Sequence, residues 1–124
     1  MPRFVPATVH ELARVELLSG LSGEQLTVIA KRMQREEVPP GHQVVREGDH
    51  AERFYVVLSG IFAVSQEDLG PRRVLQPGGY FGEVGLAMKV PRTASVRALT
   101  PAVVASCDQA AFDELLRPLF ADQS

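Results

Sequence analysis

The chain has 124 residues, 13 basic and 15 acidic side chains, 45% hydrophobic residues and one cysteine. That length suits a single domain, and a net charge of −2 spread over a mixed chain offers no basic face for a phosphate backbone, which argues against direct nucleic-acid binding. Cys107 alone cannot close an internal disulfide, and the opening MPRFVPATVH has no apolar signal core. The central uncharged stretch from Phe54 to Gln66 falls short of the roughly 20 residues that span a bilayer, so a cytoplasmic protein without membrane insertion is expected.

Helical signals fill the first third of the chain. Thr8 and Glu11 form a capping box, and Leu12, Val15 and the Leu17-Leu18 pair follow until Gly20 ends the run. Ser22 and Gln25 make a second box, with Leu21 and Leu26 as a hydrophobic staple, and Leu26, Ile29, Ala30 and Met33 mark one helical face. Helices are therefore expected within 8–33.

From Gln34 to Cys107 the pattern becomes that of short strands separated by turns: Pro39-Pro40-Gly41, Glu47-Gly48-Asp49, Ser59-Gly60, Asp68-Leu69-Gly70-Pro71, Pro77-Gly78-Gly79 and Thr100-Pro101. Strand pieces are read at Val44-Val45, Phe54–Leu58, Ile61–Val64, Arg73–Leu75, Ala94–Ala98 and Val103–Cys107. Only Ser59-Gly60 separates the second and third of these, which predicts a tight hairpin. Short strands of this kind cannot each bury a face alone, so closure of 34–107 into an antiparallel β-roll, a jelly roll, is the economical arrangement. Cys107 is expected to be a small buried core residue. Asp108 is a good N-cap for a C-terminal helix with Phe112, Leu115 and Leu116 on its apolar side, expected to stop at Pro118. The expected fold is mainly β with flanking α, one domain over 1–124.

One segment breaks the strand pattern. Between Pro77-Gly78-Gly79 and the strand after Thr93, Glu83 to Met88 can form one or two helical turns before Pro91 restores extended geometry. A helix that starts at a glycine leaves the N–H groups from Gly82 to Gly85 unpaired at its positive end, and neither Gly82 nor Gly85 has a side chain to hold an anion away. Gly85 is otherwise a poor choice inside a helix, costing roughly 1 kcal/mol against Ala. Arg92 can supply paired donors to two phosphate oxygens, and Glu83 can accept from a sugar hydroxyl. Phosphate plus sugar is a nucleotide. A Glu83–Arg92 salt bridge around a permissive glycine turn is the simpler reading of the same residues.

Phe81-Gly82-Glu83-Val84-Gly85-Leu86, a short gap, then Arg92-Thr93-Ala94-Ser95-Val96 resembles the phosphate-binding cassette of cyclic nucleotide-binding domains, the sensors of catabolite-activator-type regulators, cyclic-nucleotide-dependent kinases and gated channels. Val44–Asp49, Phe54–Gly60 and Pro77–Tyr80 resemble the family's early strands and its approach to the cassette, here 80–94. The resemblance implies that Glu83 accepts from the ribose 2′-hydroxyl and that Arg92 binds the exocyclic phosphate. Backbone N–H groups near Gly85 and Thr93 would complete the cradle, which Gly82 and Val84 shape. Two positions depart from the usual pattern. Gly85 stands where the family usually has Ala, which implies a looser turn. Thr93 follows the Arg where other members carry Ala, Ser or Thr; cGMP-dependent kinases favour cGMP with Thr there, but hydroxyl residues also occur in cAMP binders, so Thr93 leaves the ligand open between cAMP, put first, and cGMP.

The implied function is a non-enzymatic regulatory sensor, with no cofactor besides its nucleotide ligand, acting on an attached effector domain or a partner protein. On the resemblance, the family's lid helix would follow the helix that starts at Asp108, and it is expected to be absent from this chain. Two other readings are a degenerate member that serves as an interaction module and, more remotely, a jelly-roll metalloenzyme. The latter needs a closely spaced His pair with a nearby Glu on strands, whereas His10 falls in the first helix and His42 and His50 fall in turns. Arg72-Arg73 reads as solvated charge on a hairpin.

Overall fold

The computed structural model describes residues 4–121, and its architecture is an antiparallel β-roll with helices against one side. Eight strands form two four-stranded sheets: β1 (Gln34–Val38), β2 (Gln43–Val45), β3 (Arg53–Ser59), β4 (Phe62–Gln66), β5 (Gly70–Leu75), β6 (Tyr80–Phe81), β7 (Ser95–Ala98) and β8 (Ala102–Asp108). The first sheet has the order β1-β8-β3-β6 and the second β2-β7-β4-β5. All neighbours are antiparallel.

The centre of the first sheet, β3 and β8, is buried on both faces, which is why these two strands read as near-continuous apolar runs. Along β3, Phe54 and Val56 point to the helices, while Val57 points into the roll with Phe62, Val64, Leu75, Phe81, Val96 and Val104. Cys107 is a buried core residue as expected; it packs on the helical side, and burial pushes its thiol up to about 12.

Both capping boxes form. Thr8 caps α1 (Val9–Leu12) and Ser22 caps α2 (Gly23–Arg32), whose Leu26, Ile29 and Ala30 are buried. The long first helix expected up to Gly20 does not form. α1 stops after four residues and a 3₁₀ turn follows at Glu16–Leu18. The apolar residues explain the difference: Leu12, Val15 and Leu18 recur every three residues, and Val15 N–H bonds Leu12 O (3.0 Å) as Leu18 N–H bonds Val15 O (2.9 Å). Three-residue turns stack such positions directly, whereas an α-helix would rotate them apart; all three are at most 1% exposed.

The predicted tight hairpin is also corrected. β3 and β4 lie in different sheets, and Ser59-Gly60 is the corner at which the chain crosses between them. A second corner, between β7 and β8, lies against the first: Leu99 N–H donates to Ile61 O (2.8 Å) and Ile61 N–H to Thr100 Oγ1 (3.1 Å). Gly60 has φ of 85°, and a Cβ there would collide with Ala102 and lie 2.6 Å from Pro101 O. A corner and a hairpin ask for the same glycine, so local turn chemistry did not separate them.

The C-terminal helix begins at Asp108, whose carboxylate accepts from Ala111 N–H (2.9 Å). It does not stop at Pro118. It runs as α4 (Gln109–Ala111), a π-helical stretch (Phe112–Leu116) and α5 (Arg117–Ala121). Proline lacks an N–H and its ring strikes the carbonyl four residues back; in the wider π turn, Arg117 N–H bonds Phe112 O instead, making room for the ring. Phe112 and Phe120 hold the helix against Phe54, with ring centroids 5.4 and 5.9 Å away.

Candidate functional site

The segment that breaks the strand pattern folds as expected into a short helix, α3 (Glu83–Met88), between β6 and β7. Gly82 is its N-cap in a left-handed conformation, φ 96°. A Cβ at Gly82 would lie 2.7 Å from Arg92 Nη1 and 2.9 Å from Arg53 O, so glycine is required here by both backbone and space. The helix's first main-chain bond runs from Leu86 N–H to Gly82 O (3.4 Å), which leaves the N–H groups of Glu83, Val84 and Gly85 without acceptors inside the helix.

Arg92 is 7% exposed, although it lies in the loop between α3 and β7. The Glu47-Gly48-Asp49 turn grips its main chain: Gly48 N–H donates to Arg92 O (2.9 Å) and Arg92 N–H to Asp49 O (2.9 Å). Its guanidinium donates from Nη1 to Gly82 O (3.3 Å) and from Nη2 to Arg53 O (2.7 Å), and its carbon lies 6.0 Å from the centre of the Tyr55 ring. Two of its five N–H donors are thus used in orienting the group, leaving three free of protein partners. Burial lowers the Arg92 pKa from its ordinary value, with Tyr55, Glu52 and Glu83 opposing the shift. The group stays charged regardless.

Glu83 and Arg92 do not pair; none of the ion pairs among the described residues includes either one. Glu83 is half-buried, and burial raises its pKa against the opposing pull of its own and Val84's N–H groups and the charges of Arg73 and Arg92. A cation and an anion therefore face the same space without neutralising each other.

That space is a cleft of about 110 Å³. All six residues singled out from the sequence line it: Gly82, Glu83, Val84, Gly85, Arg92 and Thr93. Val45, Val64, Phe81 and Val96 supply an apolar floor. At this volume the cleft is smaller than the roughly 300 Å³ or more that a drug-sized ligand needs, so such a ligand must extend through its mouth. Two contributors were not anticipated. Arg73, read as solvated hairpin charge, is exposed at the cleft, opposite Val64 in the β4–β5 ladder. Arg53 supplies the carbonyl that orients Arg92, while its own side chain is anchored on Ser106 Oγ (2.9 Å).

Gly85 is buried and closely fitted rather than loose. A Cβ there would lie 2.5 Å from Ala51 Cβ and 3.2 Å from Val90 O, so α3 approaches the β2–β3 loop more closely than an alanine would permit. The histidines fall on the elements expected: His10 is in α1, and His42 and His50 are in loops. Among the described residues no three His, Cys, Asp or Glu side chains come together in a metal-binding group.

Residues 35–118, more than half of the chain, match the family model described as the cyclic nucleotide-binding domain. This chain belongs to that family. Among curated relatives of this cyclic nucleotide-binding domain, the cAMP-dependent protein kinase regulatory subunit of Debaryomyces hansenii is 37% identical over 107 residues, covering 86% of this chain and 24% of the relative. The chain spans about a quarter of the length of such relatives. Two solved structures share the fold: the regulatory domain of Toxoplasma gondii PKA, crystallised with cAMP, at 27% identity and TM-score 0.84, and the regulatory subunit of a cAMP-independent protein kinase A from Trypanosoma brucei, at 25% identity and TM-score 0.87. Each covers 93% of this domain, which in turn covers 46% and 42% of those chains.

Proposed function

We propose that this domain is a non-catalytic sensor that reversibly binds a cyclic nucleotide, cAMP in first place, and passes its occupancy to an effector domain or partner protein. The observation that carries this reading is Arg92: a guanidinium 7% exposed, with no carboxylate partner among the described residues and three donors left over. A buried charge without a counter-charge is costly, and a singly charged cyclic phosphate in the cleft offsets that cost through charge-assisted hydrogen bonds. The N–H group of Gly85 adds a donor on the same side, beside those of Glu83 and Val84 that face the Glu83 carboxylate. Glu83 accepts from the ribose 2′-hydroxyl, which relieves a carboxylate that burial disfavours. Thr93 stands at the rim, and Gly82 and Gly85 keep side chains out of the cradle.

The relatives support this ligand class from two sides. The yeast relatives are named cAMP-dependent kinase regulatory subunits and the Toxoplasma domain is bound to cAMP, while the trypanosome protein carries the same fold and is called cAMP-independent. The fold alone does not decide between them. The arginine and glycines around this cleft favour the binding member. A protein kinase is accordingly the first class of effector to test. No helix among the described residues is long and apolar enough to cross a membrane, and a buried free Cys107 suits a reducing cytoplasm.

cGMP is the second reading, favoured by Arg73 at the cleft. An arginine fork matches the O6 and N7 acceptors of guanine, whereas adenine presents an amino donor beside N7. Thermal unfolding with cAMP, cGMP and 2′-deoxy-cAMP tests both readings. At a hundred times its dissociation constant a ligand adds about 2.7 kcal/mol, so cAMP is expected to raise Tm by about 10 °C and the deoxy analogue by much less. A larger shift with cGMP selects the second reading. No shift with either cyclic nucleotide up to millimolar concentration overturns the function.

A further inference from the structure

A second cavity, of about 220 Å³, lies between α1 and the helical side of the first sheet. Its polar lining is His10, Glu11 and Arg14 from the α1 segment and Arg35 from β1, and Leu58 and Val103 line it with apolar surface. None of these residues lines the cleft around Arg92. The Pro77-Gly78 turn closes one side, packed so near the chain leaving α1 that a Cβ at Gly78 would lie 3.5 Å from Arg14 O.

Arg35 is held by both its main chain and its side chain. β1 pairs with β8 while Arg35 N–H donates to Val5 O (2.6 Å), and Arg35 Nε donates to Glu11 Oε2 (3.1 Å). The other oxygen of Glu11 accepts from Thr8 N–H (3.0 Å) and Thr8 Oγ1 (3.2 Å). Burial raises the Glu11 pKa, but the bonds from Thr8 and Arg35 outweigh it and hold the carboxyl below its usual value. Glu11 is thus a charged anchor with both oxygens occupied. Nη1 and Nη2 of Arg35 keep their N–H groups without partners among the described residues, and the Arg14 guanidinium pairs with no carboxylate there. Two arginines against one carboxylate leave the lining one positive charge to spare, and His10 adds a ring N–H donor. None of Glu16, Glu36 and Glu37, the acids that follow on the same two segments, lines the cavity.

We propose that this cavity is a binding site for a short-chain carboxylic acid, its carboxylate on the Arg35 fork and Arg14 and its hydrocarbon against Leu58 and Val103. A planar guanidinium with both terminal nitrogens free matches two carboxylate oxygens. The apolar wall favours a hydrocarbon tail and disfavours a ligand that is polar all round. At about 30 Å³ for each water-sized group, 220 Å³ has room for about seven such groups, which is the size of a small acid. The site stands independently of the cyclic-nucleotide reading.

Titration of butyrate into isotope-labelled protein, followed by amide NMR at constant ionic strength, tests the site in the parent, Arg35→Lys and Arg14→Gln. Butylammonium and inorganic phosphate are the comparison probes. Saturable shifts at Arg14, Leu58 and Gly78 are expected with butyrate in the parent, with a dissociation constant of about 1 mM, within reach of a ligand of this size. Arg35→Lys keeps the charge but loses the fork, and is expected to weaken binding about tenfold. Arg14→Gln alters an exposed position, so it tests the site even where the lysine variant fails to fold, and is expected to cost about threefold through the lost charge. Butylammonium is expected to shift none of these amides. No saturable shift in the parent, shifts confined to 82–93, or equal affinity in the parent and Arg14→Gln overturns the site. Phosphate binding as tightly as butyrate overturns the ligand class.

Discussion

Glu83 contributes a pH dependence that belongs to the free protein. Burial raises its pKa, so between the unfolded value near 4.5 and the higher folded value the native chain holds more protons than the unfolded one. Stability must then fall as pH rises through that window. Glu83→Gln is therefore expected to raise Tm at pH 7 relative to the parent, with the gain vanishing below pH 4. Equal or lower stability of the variant at pH 7 would show that the carboxylate is not held in a disfavoured site. Glu83 and Arg92 were legible in the sequence because their chemistry is carried by residue type and spacing. The groups that aim Arg92 were not. Gly82 O, Arg53 O and the Gly48–Asp49 main chain are backbone atoms, two of the three brought from distant parts of the sequence, and backbone atoms leave no residue-type signal. Arg73 was missed for a different reason: an exposed strand residue looks the same in sequence whether it faces open solvent or the mouth of a cleft.

At the scale of elements, α3 owes its place to a missing methyl group. Gly85 and Ala51 meet so closely that Gly85→Ala puts two Cβ atoms 2.5 Å apart, with Val90 O at 3.2 Å on the other side. Overpacking of this kind costs about 1–3 kcal/mol, and the better helix propensity of alanine returns roughly 1 kcal/mol of it. Urea unfolding is expected to show a net loss of up to about 2 kcal/mol for Gly85→Ala, with Ala51→Gly in the same chain recovering part of it. Additive losses would mean that the contact does not set the helix position. Elements with strong local signals, namely the two capping boxes, α2, and the cores of β3, β4, β7 and β8, could be read from sequence. β1 could not, because Gln-Arg-Glu-Glu-Val buries only Val38 and its strand character comes from pairing with β8. The first helix failed because three-residue apolar spacing and a capping box both look helical, and only the packed core decides how the turns wind.

For the whole molecule, a net charge of −2 means that the global field does not draw an anion in. Affinity must be local, and on this account most of it passes through Arg92 and the donors beside it. The large-scale arrangement serves that end: two sheets close a roll, and the loop leaving α3 returns Arg92 to the roll's edge. The most direct test is a calorimetric titration of cAMP into the parent and Arg92→Ala, side by side. One saturable site is expected in the parent, with a loss of about 2–3 kcal/mol in the variant, or roughly 30- to 150-fold in affinity. Equal affinity in the two proteins, or no binding heat in the parent with cAMP or cGMP, would contradict the account.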